Sequence, residues 1–183
     1  MGQYFTPVIV NAAAQVVAAL DPSEYGSGLK LFGHSRMEAP LMRAVELLLT
    51  ADGGARLVWA GDYAGEEPGS EANLYFSTQE RHFVRFEGLV EPEITPTVRG
   101  ISALDPAARR YVVNLDRGEF YDNAALPTDE FSHNRTPLPA LTFEGYEGQR
   151  GPWARQRIYV TASRPAMRQI CALEWLSPAL PIT

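Results

Sequence analysis

The chain has 183 residues, 45% of them apolar and 21% charged, and a formal net charge of −6. That is the size and balance of a single folded domain, 1–183, and it argues against a disordered chain. The acidic excess argues against a protein that grips nucleic acid through its phosphates, which needs a basic face.

Tyr4 to Val10 and Val16 to Leu20 are rich in β-branched and aromatic residues and predict two strands. Asp21-Pro22-Ser23 and Tyr25-Gly26-Ser27-Gly28 are turn signals. Leu29 to Phe32 reads as a short strand ending at Gly33. The clearest helix follows, capped by Ser35 or Ala39, with Pro40 in its first turn. Leu41, Val45, Leu48 and Leu49 share one stripe of it, with Arg43, Glu46 and Thr50 largely off that stripe. Gly53 and Gly54 suit its end.

Arg56 to Ala60 predicts a central strand, and 61–73 an acidic, glycine-rich loop. Ser77-Thr78-Gln79-Glu80 has capping-box spacing, so a short helix or turn is expected to start there. Residues 89–108 read as a long connection. Arg110 to Leu115 and Glu119 to Tyr121 predict a hairpin across Asp116-Arg117-Gly118. Its Leu-Asp-x-x-Glu-aromatic core echoes Leu20 to Tyr25, which suggests a second hairpin with the same turn chemistry. Residues 124–152 have little periodicity and are expected to be a long functional or mobile loop. Gln156 to Ala162 predicts a strand; 163–176 fits either a short helix or a final strand. The expected fold class is α+β: a mostly antiparallel sheet, one principal helix packed on one face, and long loops.

A single cysteine, Cys171, excludes an internal disulfide and paired-cysteine zinc sites. It is expected to be a buried structural thiol. A lone thiol fits a reducing cytoplasm. The longest apolar run, Pro7 to Leu20, contains Asn11 and Gln15 and stops at 14 residues, too short to span a membrane. No base precedes it, unlike a signal peptide. A cytoplasmic protein without membrane contact is expected, with no cofactor and no metal.

The basic residues are 15 arginines and one lysine, Lys30. Such a bias suggests a GC-rich bacterial or phage genome. It marks Lys30 as a place where a compact ammonium was kept over a planar guanidinium, unless it survived by chance. Gly26-Ser27-Gly28-Leu29-Lys30 could cradle an anion, although it lacks P-loop spacing. An ordinary tight turn explains it too. His34 is a candidate base or ligand contact, or simply a satisfied residue beside a helix. Trp59-Ala60-Gly61-Asp62-Tyr63 places an indole on a rigid strand and a carboxylate at its end. A core tryptophan and a turn-capping aspartate would use the same residue types. Arg81, His82 and Arg85 lie near Tyr75 and Phe76, a pattern that can stack on and pair with a nucleotide, or form a charged face beside an apolar one. Arg155 and Arg157, with Trp153, suggest a second anion-friendly patch or cross-strand ion pairs.

Met1-Gly2-Gln3-Tyr4-Phe5, Gly28-Leu29-Lys30-Leu31 with His34-Ser35, and Val58-Trp59-Ala60-Gly61-Asp62-Tyr63-Ala64 resemble phrases of a group of small, uncharacterised bacterial and phage proteins. Members of that group tend to begin MGQYY and to carry GLKLMEHS and VWAGDYA. The chain departs from the pattern at 12–19 and at Phe143 to Tyr146. The resemblance brings no activity with it.

Two functions are compatible with these residues. One is a non-catalytic binding protein for a small anionic ligand or a protein partner, with Lys30, His34, Trp59, Asp62, Tyr63 and Trp153 on one surface. The alternative is a small hydrolase or transferase acting on a nucleotide-like substrate. There Asp62 or His34 would be the base and Lys30 would stabilise developing negative charge.

Overall fold

The computed structural model describes residues 2–50, 53–87, 89, 109–171 and 176. Strands β1 (Phe5–Val10) and β2 (Val16–Ala19) are followed by a 3-10 turn at Pro22–Tyr25. Helices α1 (Leu31–His34) and α2 (Pro40–Leu48), strand β3 (Ala55–Gly61) and helix α3 (Leu74–Ser77) come next. The strands β4 (Tyr111–Asn114) and β5 (Glu119–Asp122) form a hairpin. Helix α4 (Leu138–Thr142) then leads to β6 (Phe143–Glu144), β7 (Arg157–Thr161) and β8 (Arg168–Gln169). The fold is α+β and mostly sheet. Among the described residues eight strands form one sheet, in the order β2-β1-β3-β7-β4-β5-β8, with β6 also paired to β3. Pairing is antiparallel except for β3–β6 and β5–β8.

The longest pairing in the sheet among the described residues is β1 against β3, with Pro7 opposite Trp59 and Ile9 opposite Leu57. Side chains alternate between faces, so each strand feeds two cores. Phe5, Ile9, Leu57 and Trp59 join Val112, Tyr121, Ile158 and Val160 on one face. Helix α2 covers that face with Leu41 and Val45, joined by Leu49 at its C-cap, all fully buried. Each such side chain contributes roughly 1.5–3 kcal/mol. Ala39 caps α2 without a side-chain hydrogen bond, so packing rather than capping holds the helix. On the opposite face Val8, Val10, Val58 and Ala60 pack on Leu74 of α3. The edge of β3 away from β1 is divided: its first residues pair with β7 and its last with β6. No described helix is long and apolar enough to cross a membrane.

Several expectations are corrected. Leu29 to Phe32 is not a strand; the chain turns helically over Leu31–His34, which swings His34 into the core. The segment after Leu20 is a 3-10 turn capped by Asp21, whose carboxylate accepts from Ser23 N, so the echo of the Asp116 hairpin is one of sequence only. The segment expected to be a long loop over 124–152 carries α4, every residue of which is buried. A helix not expected, α3, is capped by Asn73 through Phe76 N and ends at Ser77, while the short turn expected from Ser77-Thr78-Gln79-Glu80 is present as a 3-10 turn over Glu80–His82 with Gln79 at its N-cap. Of the two alternatives for 163–176, the described residues show a strand, the two-residue β8. Cys171 is exposed rather than buried. The connection expected over 89–108 lies almost wholly outside the described residues.

Candidate functional site

Three of the six expected site residues are enclosed. Trp59 projects from β3 into the main core, and its Nε1 donates to His34 Nδ1 at 2.9 Å. His34 Nδ1 is thus an acceptor, so the ring proton sits on Nε2, which donates to the Gly28 carbonyl at 2.5 Å. Both nitrogens are used and the ring is fully buried. Burial pushes its pKa below the usual histidine value, against the opposing pull of the Gly28 hydrogen bond. A neutral imidazole with both nitrogens occupied is a pin between α1 and β3, not a base. Trp153 is likewise buried. It stacks on Tyr121 and donates to Glu119 Oε2 at 3.1 Å.

Lys30, Asp62 and Tyr63 reach the surface at the rim where β1 begins and β3 ends. Tyr4 links them. Its N–H donates to Asp62 Oδ1 at 2.9 Å, and Asp62 N donates back to Tyr4 O at 3.0 Å. The Lys30 ammonium lies 4.8 Å from the centre of the Tyr4 ring, a cation–π contact. The stem of Lys30 also lies against Gly2. Among the described residues no carboxylate lies within ion-pair distance of Lys30. Tyr4 and Tyr63 are 42% and 47% exposed. Beside them the Gln3 amide is inserted between Gly61 and Gly145, where a Cβ on either glycine would strike it. Its Oε1 accepts from Tyr146 N at 3.4 Å.

The remaining arginines of interest are committed to carboxylates. Arg155, with φ at +65°, holds Glu67 by both carboxylate oxygens and also binds Glu144, which tethers the acidic loop to β6. These bonds raise its pKa further above the ordinary arginine value. Arg157 pairs with Asp116, and Arg85 with Glu24. Arg81 and His82 instead line a cavity on the α3 side of the sheet.

Sequence reasoning missed a buried polar cluster. Glu46 and Arg109 are both enclosed and paired at 2.6 Å. Arg109 also reaches Met37 O and Glu38, while Asn123 donates to Glu46 and to Arg109 O. Burial is the largest influence on the Glu46 carboxyl, lifting its pKa to about 7 against the lowering effect of Arg109. The signal was present: Met42, Val45, Glu46 and Leu49 follow the i, i+3, i+4, i+7 spacing of an inward face. Charge type hid it.

Comparison of the chain with protein-family models, with curated proteins and with solved structures returned no match.

Proposed function

We propose that the chain is a non-catalytic binding protein, and that it recognises a protein partner through the rim of Tyr4, Lys30, Asp62 and Tyr63. The observation that carries this reading is the Lys30 amine, held over an exposed tyrosine and free of any carboxylate among the described residues. Tyrosines held rigidly beside a cation are typical anchors of protein interfaces. The two backbone–Asp62 bonds fix Tyr4 before any partner arrives, which lowers the ordering cost of binding. The chemistry favours a partner segment that presents a carboxylate to Lys30 next to an apolar side chain. The hydrolase or transferase alternative gains no support from His34, whose lone pair is taken by Trp59.

An array of 12-residue peptides carrying Asp or Glu beside aromatic or aliphatic residues tests the reading. The wild-type protein should retain a subset, and the Lys30→Glu/Tyr63→Ala double variant should bind that subset at least about tenfold more weakly. Amidation of the peptide carboxylates should have the same effect. Equal retention by both proteins, or binding indifferent to amidation, would show the rim to be inert.

A further inference from the structure

We infer that the cavity between the β1–β2 turn and the Ser77–His82 run binds a small phosphate monoester. Its volume is about 380 Å³, within the range of small-ligand sites, and larger than a bare phosphate requires.

The inference begins with His82. Its Nδ1 accepts from Gln79 N at 3.0 Å, a bond fixed by the backbone of the 3-10 turn Glu80–His82. A neutral imidazole has one acceptor nitrogen, so Nε2 carries the proton. Yet Arg81 Nε, also a donor, stands 3.3 Å from that same Nε2. Two N–H groups therefore face each other across the wall of a cavity that both residues line. Turned toward the cavity, the two N–H groups can donate to one anion, which removes the conflict.

The rest of the lining agrees. Ser77 and Gln15 also line the cavity, and among the described residues the Ser77 hydroxyl has no hydrogen-bond partner and the Gln15 side chain uses only its Oε1, which accepts from Asn11. With Arg81 and His82 they make four donor groups from two separate chain segments. That suits the terminal oxygens of a tetrahedral phosphate better than a flat carboxylate. Among the described residues Arg81 has no carboxylate within ion-pair distance. The carboxylate in the lining, Glu67, is neutralised by its two bonds to Arg155. Val16 and Leu74 supply an apolar wall for the organic part of the ester. The turn beside the site holds Ala14, one of the lining residues, at φ +60°, a conformation that favours glycine. This site uses none of the rim residues.

The test is an NMR titration with AMP and, separately, with inorganic phosphate, followed on the His82 ring and on the Ser77 and Gln15 resonances. AMP should give saturable shifts at those residues, with phosphate binding more weakly. Arg81→Glu, an exposed substitution that leaves the core intact, should weaken AMP binding at least about tenfold, and Lys30→Glu should leave it unchanged. No shift with up to 10 mM AMP, or a response that survives Arg81→Glu, overturns the inference. Because Arg81→Glu spares the rim and Lys30→Glu spares the cavity, the two proposals fail separately.

Discussion

His34 shows how one side chain can look reactive in a sequence and be structural in the fold. Its Nδ1 takes the Trp59 indole proton and its Nε2 gives one to Gly28, so the ring ties the Gly28 turn to the central strand. The burial that depresses its pKa also removes it from chemistry. Nitrogen NMR at pH 7 should find the proton on Nε2, and the ring should take up its second proton only below the ordinary histidine range. Trp59→Phe should cost about 2–4 kcal/mol in urea unfolding. The variant loses packing volume and leaves His34 Nδ1 buried without a donor. A ring that titrates near the ordinary histidine value would contradict the pin.

At the scale of elements, α4 decides how the edge of β3 away from β1 is completed. The helix ends at Thr142, and the chain enters β6 directly. Gly151 then passes so close to the last turn that a Cβ there would collide with the carbonyls of Ala140 and Leu141. Gly151 N donates to Phe143 O and Trp153 N to Leu141 O, which seats the Trp153 indole in the core. Backbone atoms cannot yield as a flexible side chain can. Gly151→Ala should therefore destabilise by about 2–3 kcal/mol in thermal or urea unfolding. Gly65→Ala, where a Cβ meets nothing within 4 Å, should stay within about 0.5 kcal/mol.

At the scale of the molecule, the Glu46–Arg109–Asn123 cluster joins α2 to the hairpin across the main core. Its energetics follow pH. The folded state raises the Glu46 pKa to about 7, so the fold binds this proton more tightly than the unfolded chain does. The contribution is therefore complete below the ordinary glutamate range, near 4.5, and is lost as the pH climbs through about 7. Unfolding midpoints of the wild type, relative to Glu46→Gln, should decline from pH 5 to pH 8. A difference that is flat or rises over that window would mean that Arg109 holds the carboxylate ionised throughout.

Periodicity and turn chemistry were enough to read β1, β3, α2, the Asp116 hairpin and β7, because each is specified by residues adjacent in the chain. Alternation put Trp59 and Leu57 on one face, and the spacing of Leu41, Val45 and Leu49 laid α2 against it. Contacts between distant residues could not be read that way. The indole that closes on His34 lies 25 positions away, Arg109 lies 63 from Glu46, and Arg155 lies 88 from Glu67. Whether a charged or polar side chain faces solvent or a partner depends on where remote segments come together, and local spacing does not encode that. The six proposed site residues were therefore identifiable by type. Tertiary packing alone sorted them into two buried tryptophans, a neutral histidine pin and a surface rim built around Tyr4.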